Sequence, residues 1–287
     1  MSLLQALILG GIQGISELFP VSSLAQGILI PALLGWTLNR DGGDFLAFLV
    51  ALHLATATAL VIFFWSDWRK VLLAFAGSAS RGKLIYDRES KFAWLLVVGT
   101  LVVGVVGLAA KKHVEALMND AHVGWVAALL VINGGVMIAG DLVKKRSLAR
   151  AKGGVGLKQS EDMSMPAGTL VGASQSFALL PGISRSGVSI IGGLLAGLSY
   201  EEACRFSFML ATPVIALAGL ATIPKLIKEK APIELGHTLL AAVFAGVMAY
   251  LSVKFLMRYF RHNRLWPFGC FCVVFGTYCL FIFSHRA

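Results

Sequence analysis

Along most of this chain, apolar residues run on for about twenty positions at a time, and charged residues gather in the short stretches between. Such runs at 45–65, 92–110, 122–143, 206–224, 236–257 and 266–283 each suit a hydrocarbon core of about 30 Å, so six transmembrane helices are predicted. Two further apolar segments, 3–35 and 165–197, are broken near their middles by polar residues and a proline. Each leaves two helical halves of about a dozen residues, roughly 20 Å long at 1.5 Å per residue and too short to cross. The pattern predicts two re-entrant helix hairpins, whose bare backbone is tolerated at membrane depth only inside protein or beside a polar cavity.

The basic residues orient these elements. The stretches 66–91, 144–163 and 254–264, read as loops, hold sixteen Lys and Arg against six in the alternating loops. The excess places the first set in the cytoplasm and both termini outside. One hairpin followed by three spans occurs twice, in 1–143 and 165–287, joined by a basic linker at 144–164 that carries Lys152, Gly153 and Gly154. Three crossings per unit make the second copy start on the opposite face, so the fold expected is an all-α integral membrane protein with an inverted-topology repeat, built as one domain. The two breaks also match in spacing, since Gly11 precedes Pro20 as Gly172 precedes Pro181, by nine positions. Interrupted segments at corresponding places of inverted halves point to a binding site near the bilayer midplane.

Composition agrees with lipid as the main solvent: 57% of the 287 residues are hydrophobic and 14% charged, with a mean hydropathy of +0.79. The net charge of +10 sits in loops flanking spans, where it orients the chain, and nucleic-acid binding is set aside. Cys204, Cys270, Cys272 and Cys279 lack zinc or disulfide-framework spacing and read as small hydrophobes. Residues 1–10 contain neither a basic leader region nor a small-residue cleavage site, so no removable signal peptide is expected.

The chemistry collects at the two breaks. Arg185 lies in Pro181-Gly182-Ile183-Ser184-Arg185-Ser186-Gly187, and a guanidinium at membrane depth costs about 2.5–3.5 kcal/mol on insertion scales, which marks a functional group with an anionic partner. Its planar fork, with hydroxyls and glycine amides beside it, favours an anion rich in oxygens, phosphate first. In the other break, Gln13 and Glu17 are four apart and share a helix face, and Pro20 is expected to end the helix at Phe19. Ser22 or Ser23 can cap one returning helix and Ser184 the other, giving two helix N-termini aimed at one anion. A carboxylate there would repel phosphate, so Glu17 reads as a general base or as a ligand of a divalent cation. Structural readings compete: a buried ion pair for Arg185, capping alone for Ser22 and Ser23, an interfacial charge for Glu17. His53, lone on an apolar span, reads as a packing residue first, with a place on the cavity as the alternative.

These residues resemble the undecaprenyl-pyrophosphate phosphatases, also called bacitracin-resistance proteins, over nearly the whole chain. The family's (Glu/Gln)-x-x-x-Glu helix running into Pro-x-Ser-Ser-x-Gly-His is matched by Gln13, Glu17, Pro20, Ser22 and Ser23. Its Pro-Gly-x-Ser-Arg-Ser-Gly-x-Thr is matched from Pro181 to Gly187, with Ser189 in place of the threonine. The resemblance implies removal of the terminal phosphate of undecaprenyl pyrophosphate at the outer face of the bacterial inner membrane, which recycles the cell-wall lipid carrier and confers bacitracin resistance. It also implies support by Mg²⁺ or Ca²⁺, with Glu17 as the metal ligand. One departure stands out: Ala25 and Gln26 occupy the places of the family's Gly-His, and glutamine cannot shuttle a proton near neutral pH.

On this reading Glu17 activates Ser23 as nucleophile and Arg185 stabilises the transferring phosphoryl group. Gln13, Ser22, Gln26, Gly182, Ser184, Ser186, Gly187 and Ser189 are expected to contact substrate. The partners expected are a polyprenyl pyrophosphate and the membrane, with a homodimer allowed. The alternatives are a carrier or flippase for polyprenyl phosphate and a binder of the lipid that does not hydrolyse it.

Overall fold

The computed structural model describes residues 1–38, 43–119, 123–150, 159–228 and 234–285. Among them every regular element is helical. In chain order these are α1 (Leu3–Ser16), α2 (Ser23–Leu33), α3 (Gly43–Phe63), α4 (Trp65–Arg81), α5 (Arg88–Asn119), α6 (Val123–Arg150), α7 (Met165–Ser174), α8 (Arg185–Leu195), α9 (Tyr200–Lys228), α10 (Leu235–Tyr259) and α11 (Trp266–Ser284). Six of these, α3, α5, α6, α9, α10 and α11, are long and apolar enough to cross a membrane, and they fall on the six predicted runs. The 21 residues of α3 give about 31 Å at 1.5 Å per residue, the depth of a hydrocarbon core. This is an all-α, multi-pass membrane protein.

Several stretches read as loops are helical at least in part. The segment 66–91 contains most of α4, which buries Val71, Ala74 and Ser78 on one face and leaves Leu72, Leu73 and Phe75 exposed. Its charges, Asp67, Arg69, Lys70 and Arg81, masked the three-and-four spacing of the buried face. Likewise α5 runs past its apolar part to Asn119 and α6 continues to Arg150. Hydropathy reports only the apolar part of a helix, and here the helical backbone continues past it into charged sequence. Part of the basic linker, including Lys152, Gly153 and Gly154, lies outside the described residues.

The short helices lie against long ones through small residues. A Cβ on Gly10 would come within 2.6 Å of the Ala241 carbonyl oxygen, and one on Gly14 within 2.3 Å of that of Ala245, so α1 sits backbone to backbone on α10. In the other half α7 does the same on α5, where a Cβ on Gly172 would lie 2.3 Å from the Gly99 Cα. The central pair α6 and α11 meets at Gly134 and Gly269. Lipid tails are as apolar as side chains, so such helices associate by close van der Waals contact, which small residues permit.

Polar ties close the end carrying the basic stretches. Arg205 on α9 pairs with Asp67 at 2.5 Å, Glu161 at 2.9 Å and Glu202 at 3.4 Å. This joins α4 to the 3₁₀ turn Ser160–Asp162 that leads into the second half. On α6 the fully buried Asp141 accepts from Tyr200 Oη at 2.7 Å and the Leu265 amide at 3.1 Å, and it pairs with Arg264. These contacts fix both halves around the short helices α1, α2, α7 and α8, which carry the chemistry.

Candidate active site

The first half-helix stops earlier than its proline suggests. α1 ends at Ser16 with Glu17 as its C-cap, and the turn continues to Ser22, which takes φ +61° as N-cap of α2. A serine in the left-handed region is strained by of order 1–3 kcal/mol, a cost that surrounding structure must offset. Ser22 Oγ accepts the Ala25 amide at 3.4 Å, so the capping role belongs to Ser22. Ser23 Oγ is then free to donate to Glu17 Oε2 at 2.7 Å.

The second turn runs through the 3₁₀ segment Gln175–Leu179 and Gly182, whose φ of +121° favours glycine. Ser184 caps α8, its Oγ accepting the Gly187 amide at 3.2 Å, and Arg185 opens the helix. The two turns join directly. Arg185 Nη2 donates to Glu17 Oε1 at 2.9 Å, and Ser186 Oγ donates to the Phe19 carbonyl at 3.3 Å. Glu17 is thus a buried carboxylate whose Oε1 faces a guanidinium and whose Oε2 receives Ser23 and, at 3.0 Å, Gln13 Nε2. Arg185 still has a buried Nη1 without a hydrogen-bond partner among the described residues, a donor left for an anion.

A cavity of about 400 Å³ opens at this junction. Glu17, Ser22, Ser23, Ser184 and Arg185 line its polar end, and Leu46, Leu49, Val50, Val214, Ile215 and Ala218 form an apolar flank between α3 and α9. A phosphorylated head attached to a hydrocarbon chain suits both surfaces.

Other residues expected to touch substrate do not line the cavity. Gln13 is turned to Glu17, and Gln26 is buried with its amide donating to the Val21 carbonyl at 3.0 Å. Gly182 packs on α6, where an added Cβ would meet Leu129 at 2.5 Å. Ser186 faces Phe19, the Gly187 amide serves the helix cap, and Ser189 shares a hydrogen bond of 2.6 Å with Ser207. These residues hold the shape of the site and make no wall of it.

Three residues that the motifs did not single out belong to the site. His53 lines the cavity with Nε2 3.7 Å from Glu17 Oε2. Its Nδ1 lies 2.8 Å from the Leu49 carbonyl, which can only accept, so in the neutral ring the proton is assigned to Nδ1 and Nε2 is bare. Asn133, buried on α6, accepts the Ser184 amide at 2.9 Å and donates to the Pro20 carbonyl at 3.4 Å. Gln175 is 1% exposed and lines the cavity from the second turn. Each is a polar residue inside an apolar stretch, and that was the available signal.

The donor set does not fit a divalent cation held by the protein itself. Among the described residues Glu17 is the one carboxylate lining the cavity, both its oxygens are engaged, and no group of three His, Cys, Asp or Glu could hold a metal. Mg²⁺ and Ca²⁺ are bound by several oxygens.

The fold and this junction define a class: a multi-pass helical membrane protein with an arginine, a serine and a carboxylate gathered for work on an anion. Residues 6–278 match the family model described as Bacitracin resistance protein BacA, and the chain belongs to that family. It is 41% identical over 292 residues to an undecaprenyl-diphosphatase of Acidiphilium cryptum, with all of each chain covered. It is also 40% identical over 294 residues to one of Mycolicibacterium paratuberculosis, covering 96% of this chain and 95% of that one. An undecaprenyl-diphosphatase 1 of Burkholderia pseudomallei is 41% identical over 288 residues, covering 100% and 99%.

Proposed function

We propose that this chain hydrolyses undecaprenyl pyrophosphate to undecaprenyl phosphate and inorganic phosphate, recycling the lipid that carries cell-wall precursors and conferring bacitracin resistance. The observation that carries this reading is the Ser23 hydroxyl 2.7 Å from Glu17, with Arg185 2.9 Å from the carboxylate's other oxygen. Family membership and relatives named for that activity support it.

In the reaction Glu17 takes the Ser23 proton as Oγ attacks the terminal phosphorus. The bond from phosphorus to the bridging oxygen breaks, and the lipid phosphate leaves with that electron pair. Arg185 Nη1 and the amides at the start of α2 and α8 donate to the phosphoryl oxygens, where charge concentrates in the transition state. The apolar flank takes the first part of the polyprenyl chain. Among the described residues Glu17 is the one carboxylate at the cavity, so a divalent cation supporting the activity would depend on the oxygens of the substrate for most of its ligands.

The architecture suits this substrate. The pairs α1–α2 and α7–α8 are re-entrant hairpins entering from opposite faces, and the halves are related by inverted topology. The matching seats of α1 on α10 and α7 on α5 support this. With the basic stretches in the cytoplasm, both termini face the periplasm of the inner membrane. One chain supplies every residue named at the cavity, so a homodimer would leave the site unchanged.

Phosphate release by the purified chain from undecaprenyl pyrophosphate, with and without Mg²⁺ or Ca²⁺, tests the reading. Hydrolysis is expected in the wild type and not in Ser23→Ala or Glu17→Gln. Binding of the lipid without phosphate release by the wild type would favour a carrier.

A further inference from the structure

Apart from the engaged Glu17 carboxylate and the bare His53 Nε2, the polar groups at the cavity are donors: a free guanidinium N–H, serine hydroxyls and two helix starts. Gln175 breaks that pattern. Its Nε2 donates to the Gly172 carbonyl at 3.4 Å, and a carbonyl accepts only, so the amide cannot be reversed without setting oxygen against oxygen. Its Oε1 is therefore the end left over, buried and without a donor among the described residues, on a residue that lines the cavity. Leaving a buried acceptor unpaired costs about 1–3 kcal/mol, and such groups in native proteins call for an explanation.

The missing donor must come from the reaction. Ionised phosphate oxygens are acceptors and would repel Oε1, and the Ser23 hydrogen is already directed at Glu17. Water is the one reactant that brings an O–H to give and a lone pair to attack with. We infer that Gln175 Oε1 holds the water that cleaves the phosphoserine formed at Ser23. The inference rests on the serine reading given above and adds the second half of the reaction to it.

The step balances. The proton first taken from Ser23 leaves with the lipid phosphate, so Glu17 is again a carboxylate when water attacks. The water oxygen forms a bond to phosphorus as the bond from phosphorus to Ser23 Oγ breaks. One water proton passes to Glu17 and from there to Ser23 Oγ, while the other is held by Gln175 Oε1. Inorganic phosphate leaves, and serine and carboxylate are restored. Orienting the attacking water by a glutamine carbonyl is a recognised device in phosphoryl-transfer enzymes.

The test is rapid acid quenching with substrate radiolabelled in its terminal phosphate, followed by measurement of label on the protein. Gln175→Leu keeps the side chain's bulk and removes the acceptor. Its turnover should fall by about tenfold or more, the rate equivalent of 1.4 kcal/mol, and label should accumulate on Ser23 above the wild-type level. Gln175→Met, flexible and similar in volume, repeats the test should leucine disturb the turn, with thermal unfolding as the check on folding. Unchanged turnover in a folded variant overturns the inference, and so does slow turnover without labelled protein while Ser23→Ala is inactive. Full hydrolysis by Ser23→Ala is a different outcome, since it removes the serine reading itself.

Discussion

Asn133 takes the Ser184 amide hydrogen at 2.9 Å and gives its own to the Pro20 carbonyl at 3.4 Å, so one buried side chain on α6 holds the tips of both turns. Neither contact touches a reacting atom. Their effect is to fix the distance between the cap of α8, next to Arg185, and the turn that carries Glu17 and Ser23. Asn133→Leu leaves the buried Ser184 amide unpaired, at about 1–3 kcal/mol, and leaves the Pro20 carbonyl with only the weak Cys272 thiol contact at 3.8 Å. A lower unfolding temperature is expected together with a fall in kcat, measured by thermal unfolding and phosphate release on the same preparation.

Arg185 contributes a fork as well as a charge, with one nitrogen on Glu17 and the other free. Arg185→Lys retains the charge but cannot serve both partners in one plane. The expected loss is of the size seen when a transition-state donor is removed, about 10²- to 10³-fold in kcat, with folding intact. Near-normal turnover would remove Arg185 from the phosphate site.

Gln26 stands where the family resemblance implies histidine, yet it is buried and bound to the Val21 carbonyl. Restoring histidine with Gln26→His therefore places no proton carrier in the cavity. A change in kcat of less than about tenfold is expected, where general acid-base catalysis would give 10²- to 10⁴-fold. A larger rise would show that this side chain turns inward when substrate is bound.

The close seat of α7 on α5 gives a stability test. Gly172→Ala drives a Cβ to 2.3 Å from the Gly99 Cα, and backbone has little room to yield, so destabilisation of about 1–3 kcal/mol is expected from overpacking. Gly27→Ala, with nothing within 4 Å, serves as the control and should unfold no earlier than the wild type.

Orientation is tested with single cysteines at Ser80, on α4, and Asn119, at the end of α5. Labelling of the first only from the cytoplasm and the second only from outside is expected. Labelling of both from one face would break the inverted arrangement. Gly154, on the basic linker 144–164, lies outside the described residues.

The spans were legible because hydropathy reports length against a lipid core, and both returning helices were legible because serine before an apolar run is a cap signal at Ser22 and at Ser184. The pairing of Arg185 with Glu17 could not be read from either motif, since the residues meet across 168 positions and only tertiary packing brings the two turns together. Sequence rightly put Ser22 and Ser23 at the start of α2 but could not say which of them caps it. That choice depends on the φ of +61° at Ser22, which turns the next hydroxyl toward Glu17. Gln26 went the other way: the motif placed it at the phosphate, and a local bond to Val21 drew it off. α4 was hidden because its charged residues, Asp67, Arg69, Lys70 and Arg81, lowered the average that hydropathy reads.

The distance in sequence between Glu17 and Arg185 also has a meaning in time. The carboxylate enters among the first residues made, and its counter-ion is 168 positions behind it. At ribosomal speeds of 5–20 residues per second, the delay is roughly 10–30 seconds. For that interval the first turn has no guanidinium to settle against, and a lone charge is costly in lipid. The first turn therefore reaches its final packing only after the second has been made, and a nascent chain cut short of Arg185 carries Glu17 and Ser23 without the group that joins the two turns.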